Sequence, residues 1–135
     1  MISFRVGSYE YEVGASSFLY SFFSTVAYRL EDGNWGSKYP IIMNELYQGR
    51  LSYENVTIAK TELRNIKENL LNFSPDKVIW DIEDLSKQPP WGNNISSHIT
   101  SLSNYFVTSN GMDFIEIFNN VLDKSIELKK DVYIQ

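Results

Sequence analysis

Three carboxylates lie close together in the segment VIWDIEDLSKQPPWG, residues 78–92. In an extended strand alternate side chains face the same way, so Asp81 and Glu83 would stand side by side, roughly 6–7 Å apart, with Asp84 at the strand end. Such a pair can act as general acid and general base, or as oxygen ligands for Mg²⁺ or Ca²⁺. It can also form an acidic surface that a protein partner recognises.

The rest of the sequence adds no group that would complete a catalytic or metal site. His98 is the only histidine, and the chain has no cysteine. This excludes a disulfide scaffold, a thiolate zinc site and a cysteine nucleophile. No glycine-rich phosphate loop, nucleophile elbow, HExxH motif or calcium-loop pattern occurs. We therefore predict no catalytic residue, no metal ligand and no cofactor, and expect His98 to make a local hydrogen bond.

Simpler interpretations of the same residues stay open. Acidic pairs on an open sheet face are commonly solvated residues that keep a strand edge soluble. Trp35 and Trp91 each precede a glycine in a loop, where an indole ring often closes the end of a core and its N–H needs a carbonyl. Tryptophan is also enriched at binding hot spots, so Trp91 remains a candidate anchor beside the carboxylates.

Length, composition and charge narrow the class of protein. A chain of 135 residues with 43% hydrophobic and 15% aromatic residues is expected to form one folded domain, residues 1–135. The formal net charge of −5 argues against direct nucleic-acid binding and is compatible with a basic protein partner. No secretory signal and no membrane-spanning run is found, so we expect a cytoplasmic protein.

Hydrophobic periodicity predicts a mixed order of strands and helices. The predicted elements are a hairpin over 2–13, a helix from Phe18 to the EDGN stop, a short helix over 40–49, a helix over 53–72, a strand over 77–84, a short helix within 96–106, a helix from Asp113 and a strand over 132–134. This order predicts an α+β domain, with a small, mainly antiparallel sheet of about four strands and helices packed on one face.

The periodicity also assigns faces within two of these elements. In the strand over 77–84, the predicted core side consists of Val78, Trp80 and Ile82. The opposite side then consists of Ile79, Asp81 and Glu83. In the first helix, a phenylalanine-rich half is predicted to be core and not a cofactor pocket, and the other half carries Ser17, Ser21, Ser24, Tyr28 and Glu31.

Three stretches of the chain resemble a known family. WGSKYPIIMNELYQGRL, SPDKVIWDIEDLSKQPPWG and ITSLSNYFVTSNGMD are together similar to the immunity protein 70 family of bacterial polymorphic-toxin systems. The most specific part is D-x-E-D followed by P-P-W-G, and the resemblance covers nearly the whole chain. It implies an inhibitor that binds the toxic domain and protects kin, and it assigns no catalytic residue. Many toxins of such systems are nucleases with basic surfaces, which an acidic inhibitor suits.

The prediction from the sequence is therefore an immunity protein that binds its cognate toxin domain and neutralises it by occlusion, without turnover. The candidate toxin-binding residues are Asp81, Glu83, Asp84 and Trp91. The alternative function is a small carboxylate- or metal-dependent hydrolase that uses Asp81 and Glu83, and a third is a regulatory or scaffold module. The narrow apolar stripe of the 53–72 helix could serve a homodimer, but the other helices need it as a partner, so we predict a monomer when free.

Overall fold

The computed structural model describes all 135 residues, and most of its elements match the predicted ones. The strands are β1 (Ile2–Val6), β2 (Tyr9–Gly14), β3 (Arg50–Leu51) and β4 (Val132–Ile134). The α-helices are α1 (Ser16–Thr25), α2 (Val56–Leu70) and α3 (Phe114–Leu128). Shorter helical turns are a π-helical turn Val26–Leu30 that continues α1, a second π-helical turn Ile41–Glu45, and 3-10 turns Leu46–Gln48, Tyr53–Asn55 and Pro75–Lys77.

The four strands form one antiparallel sheet in the order β2-β1-β4-β3. Within β1, Phe4 is fully buried and Arg5 is partly exposed, as expected for a strand with one face on the core. Phe4 pairs with Ile134 and Arg5 with Tyr133, so the two central strands keep the same alternation. The predicted α+β class and the four-stranded antiparallel sheet are confirmed.

A cluster of phenylalanines joins the sheet to α1 and α3. The ring of Phe22 meets that of Phe114 edge-to-face at 4.9 Å, and Phe4 of β1 meets Phe118 at 5.3 Å. Each of these side chains is fully buried. The phenylalanine-rich half of the first helix is therefore core, as predicted. Asp113 caps α3 by accepting hydrogen bonds from the N–H groups of residues 115 and 116, which fixes where that helix begins.

The strand predicted over 77–84 does not form, and this prediction was wrong. The fourth strand of the sheet is instead β3, at residues 50–51. The main chain near Ile79 is held by hydroxyl groups of α1. Ser21 Oγ donates to the Ile79 carbonyl at 2.8 Å, and the Ile79 N–H donates to Thr25 Oγ1 at 3.0 Å. Because helix side chains satisfy these backbone groups, the segment does not need a neighbouring strand.

The face assignments in this region were wrong for the same reason. Ser21 and Ser24, which the periodicity placed on the polar half of the first helix, are fully buried under the segment. Ile79 is also buried, whereas the three side chains assigned to the core side are only partly buried. The partly buried side chains are Val78, Trp80 and Ile82.

The short helix predicted within 96–106 is also absent, and this segment is a series of turns. Asn104 Oδ1 accepts hydrogen bonds from the N–H groups of Thr100 and Ser101, at 3.0 and 3.2 Å. The N–H of Leu102 donates to the Phe73 carbonyl at 2.9 Å. Asparagine and hydroxyl side chains that bond to nearby backbone compete with helix formation, which explains the difference.

Two buried glutamates hold the irregular connection between α1 and β3. The carboxylate of Glu31 accepts hydrogen bonds from the N–H groups of Gly36, Lys38 and Tyr39, at distances of 2.9–3.0 Å. Gly36 has φ +80°, and a Cβ there would lie 2.3 Å from the side chain of Asn44, so only glycine fits. The loop that follows α1 is therefore fixed by a buried charge and a required glycine.

Glu62 of α2 plays the same part for the next helical turn. Its carboxylate accepts from the N–H of Ile42 at 2.8 Å and from that of Ile41 at 3.2 Å. Negative charge at the start of a helical turn is favourable because the first N–H groups have no partner within the helix. None of the helices combines the length and apolar content needed to cross a membrane.

Candidate functional site

The acidic turn, residues 81–84, follows directly after Ile79 and Trp80. The main chain of Ile79 is held by the hydroxyl groups of Ser21 and Thr25 in α1. Asp81 Oδ1 accepts a hydrogen bond from the Glu83 N–H at 2.9 Å. Asp84 Oδ1 accepts from the Ser86 N–H at 3.1 Å and from the Ser86 hydroxyl at 2.5 Å. Aspartate side chains that bond to backbone two residues on are typical turn formers. Asp81 and Asp84 therefore shape the turn, and Asp81 and Glu83 do not stand side by side on a strand face as predicted.

The charge of the acidic turn is only partly balanced. Lys87 Nζ lies 3.3 Å from Asp81 Oδ2, and the side chain of Asp81 is 19% exposed. Glu83 and Asp84 are exposed. The hydrogen bond from the Ser86 hydroxyl, followed by that from its N–H, lowers the pKa of Asp84. Asp84 thus stays ionised at neutral pH, and both it and Glu83 are open to solvent.

The two residues of the hydrolase alternative, Asp81 and Glu83, have different surroundings. Asp81 is turned toward Lys87, and Glu83 faces solvent. No three His, Asp or Glu side chains are grouped so that they could hold a metal ion. His98 is exposed, and its local hydrogen bonds are made by its main chain, with Ser96 Oγ and with the side chain of Asn104.

Trp91 lies against the same stretch of chain as the acidic turn. Its ring stands perpendicular to that of Trp80, with centroids 5.3 Å apart, and Trp80 directly precedes Asp81. The Trp91 indole N–H donates to the Tyr105 hydroxyl at 2.8 Å. The side chain is 38% exposed, so part of the ring remains open to solvent. Trp91 is thus both a packed residue and an accessible one.

Trp35 follows the prediction for a tryptophan that closes a core. It is partly buried against the core, and its N–H donates to the Met43 carbonyl at 2.7 Å. Two tyrosines pack on its ring. Tyr20 of α1 stacks on it at 6.2 Å, and Tyr47 meets it edge-to-face at 4.8 Å. The two tyrosines were not among the residues selected from the sequence.

Tyr20 also lies next to the acidic turn. It precedes Ser24 by one helical turn on the same face of α1, and Ser24 Oγ accepts from the Ile82 N–H at 3.2 Å. Burial raises the pKa of the Tyr20 phenol, and the charges of Glu83 and Asp81 raise it further. The phenol therefore stays protonated, with carboxylates close to it.

The two tyrosines border an open apolar groove, which we call the tyrosine groove. Its volume is about 450 Å³. The apolar residues that line it are Ile2, Leu19, Tyr20, Phe23, Tyr47 and Ile134. Ser16 and Ser17, at the start of α1, line it as well. No sequence signal links these residues, because they come from separate elements and meet only through packing.

The amino-acid sequence of the chain matches a known protein family. The sequence model described as Immunity protein 70 matches residues 4–134 of the chain. The protein belongs to the immunity protein 70 family. No curated protein and no solved structure matches it. Membership in a family of immunity proteins indicates an immunity role and implies a cognate toxin as the partner.

This immunity protein 70 family member has two exposed surfaces near Tyr20 of α1. One consists of the acidic turn with Trp91, which the sequence analysis had selected. The other is the tyrosine groove, which it had missed. Tyr20 borders the groove and lies beside the acidic turn, so the two surfaces are neighbours.

Proposed function

We propose that the protein neutralises the toxic domain of a cognate polymorphic toxin by binding to it and occluding it, without turnover, in the cytoplasm of the producing cell. The observation that carries this proposal is the family match over residues 4–134. The partner is a toxin domain with a basic surface. A nuclease is the proposed class of toxin, because the basic surface of a nuclease is complementary to an acidic inhibitor. The free protein is a monomer.

The acidic turn is the proposed recognition element, with Trp91 as a neighbouring apolar contact. Asp81, Glu83 and Asp84 carry three negative charges against the single positive charge of Lys87. Exposed charges of one sign attract an oppositely charged partner and raise the association rate more than the final affinity. The attraction acts over about 8 Å at physiological ionic strength, so it must weaken as salt is added.

The first experiment is co-expression with the cognate toxin domain. Growth that is restored by the protein, together with a stable complex of the two chains, is the expected result. Failure to restore growth, with no binding between the purified proteins, would refute the proposal for that toxin.

Charge removal tests the recognition element itself. The triple variant Asp81→Asn, Glu83→Gln, Asp84→Asn keeps the side-chain oxygens that accept the turn hydrogen bonds, so the fold should be retained. We expect a slower association with the toxin and a weaker dependence on salt, measured by stopped-flow or surface binding.

A second triple variant is the matched control. Glu68→Gln, Glu116→Gln and Glu127→Gln remove the same charge from exposed positions on α2 and α3. If both triple variants slow association equally, only net charge matters, and the acidic turn has no special role. If neither variant changes association, the turn is simply a solvated loop.

A further inference from the structure

The tyrosine groove has the composition of a binding-site centre. Six of its eight lining residues are hydrophobic, and two of these are tyrosines. Tyr47 is 42% exposed, although its ring also packs on Trp35 and Phe23. Tyrosine is enriched in the buried centres of protein interfaces because it contributes a large contact area at a low cost in conformational entropy. A volume of about 450 Å³ accommodates one large side chain and its neighbours.

The walls of the groove are held in place before any partner arrives. Trp35 supports both tyrosine rings and is itself fixed by its hydrogen bond to the Met43 carbonyl. The loop that follows Trp35 is fixed by the buried carboxylate of Glu31. A preformed site loses less conformational entropy on binding, so its contacts contribute more fully to affinity.

The charged residues near the groove indicate which kind of side chain it could bind. No charged side chain lines the groove itself. The acidic turn lies beside Tyr20, because Ser24 on the same face of α1 holds the N–H of Ile82. An occupant is therefore surrounded by apolar rings and meets carboxylates at one side. This combination is complementary to a large apolar side chain next to an arginine or lysine, and an arginine can also stack on a tyrosine ring.

We propose that the tyrosine groove is the central anchor site for the toxin, and that it receives a basic segment in which a large apolar side chain adjoins an arginine or lysine. The apolar side chain fills the groove and packs on the rings of Tyr20 and Tyr47, and the basic side chain pairs with Glu83 or Asp81. Trp91 is then a peripheral contact. This inference rests on the proposed function, since it names the part of the protein that the toxin binds.

The sharpest test introduces bulk and positive charge into the groove without touching the core. Ser17 lines the groove and is exposed, so Ser17→Arg should fold normally. We expect its affinity for the toxin domain to fall at least about tenfold, mainly through faster dissociation. Ser8→Arg, at the exposed hairpin turn between β1 and β2, makes the same charge change elsewhere and should bind like the wild type.

A second pair of variants tests the ring of Tyr47 directly. Tyr47→Phe keeps the ring and should retain most of the affinity, whereas Tyr47→Ala should lose at least about tenfold. Melting temperatures of all variants establish that each is folded under the binding conditions. Trp91→Ala should have a smaller effect than Tyr47→Ala.

The outcomes separate this inference from the proposed function. If the wild type binds the toxin and Ser17→Arg and Tyr47→Ala bind it equally well, the groove is not the anchor, although the protein remains an immunity protein. If Trp91→Ala weakens binding more than Tyr47→Ala, the anchor lies at Trp91. If the wild type neither binds nor protects, both the groove proposal and the proposed function fail.

Discussion

At the scale of single residues, the buried carboxylate of Glu62 links stability to pH. Burial raises its pKa above the ordinary value of 4.5, and the charge of Glu31 adds to this, although the N–H groups of Ile42 and Ile41 act in the opposite direction. A raised pKa in the folded state means that the folded protein binds the proton more tightly than the unfolded chain does. The contribution of Glu62 to the free energy of unfolding therefore falls as pH rises from about 4.5 to its folded-state pKa.

Glu62→Gln removes this titration and keeps a side-chain oxygen for the Ile42 N–H. We expect the stability of the variant relative to the wild type to improve as pH rises from about 4.5 toward neutrality, in urea unfolding at several pH values. The loss of the Ile41 hydrogen bond adds a cost that does not depend on pH. A difference in stability that stays constant over this range would contradict the prediction.

Trp80 gives a second prediction at this scale, because its burial is only partial. The alternation of residues 78–82 predicted a core tryptophan, whose loss typically costs about 3–5 kcal/mol. In the structure Trp80 packs at the margin of the core, perpendicular to Trp91. We expect Trp80→Ala to cost about 1–3 kcal/mol in urea unfolding, less than Phe22→Ala in the fully buried cluster. Equal losses in the two variants would show that Trp80 is a full core residue.

At the scale of elements, hydroxyl groups of α1 make the backbone hydrogen bonds that a neighbouring strand would make in a sheet. Thr25 Oγ1 lies 3.0 Å from the Ile79 N and 3.1 Å from the Ile79 carbonyl oxygen, and all of these groups are buried. Thr25→Val keeps the shape of the side chain and removes the hydroxyl. We expect a loss of about 1–3 kcal/mol, because the buried N–H of Ile79 loses its partner. Relative to the wild type, the variant should show faster amide hydrogen exchange at residues 79–84, and the exchange rates of β1 should change less.

The control for this prediction is Thr61→Val on α2. The Thr61 hydroxyl is exposed and bonds only to a carbonyl of its own helix, so its removal should change stability by less than about 0.5 kcal/mol. If Thr25→Val is as mild as Thr61→Val, the hydroxyls of α1 do not hold the segment.

At the scale of the whole molecule, the helix most suited to self-association is already covered. The apolar stripe of α2, which includes Leu63 and Ile66, is buried within the single chain, where α2 packs on α3. We expect light scattering to give the mass of one chain, 15.7 kDa, at all concentrations used. A mass twice as large that does not change on dilution would contradict this prediction and would point to an apolar surface outside α2.

Local pattern was sufficient to predict much of the fold. The hairpin of β1 and β2, the helices α2 and α3 and the final strand follow from periodicity and capping, which depend on neighbours in the chain. Asp113 caps the start of α3, where the last helix was predicted to begin, and Gly49 ends the helical turns within the short helix predicted over 40–49. Of the four candidate site residues, Trp91 packs on Trp80, the residue that directly precedes Asp81.

What only the tertiary structure decided was how the segment before the acidic turn is held and which aromatic rings lie beside it. The apolar, β-prone composition of residues 78–82 indicates that the segment suits a half-buried surface. It does not specify which partner makes hydrogen bonds with the backbone of the segment. Here hydroxyl groups of α1 make these hydrogen bonds, and Ser21 and Thr25 are buried as a result. Asp81 lies in a turn, where it accepts a hydrogen bond from the Glu83 N–H. The tyrosine groove likewise exists only because packing brings α1, Tyr47 and the sheet together, a non-local event that no spacing in the sequence records.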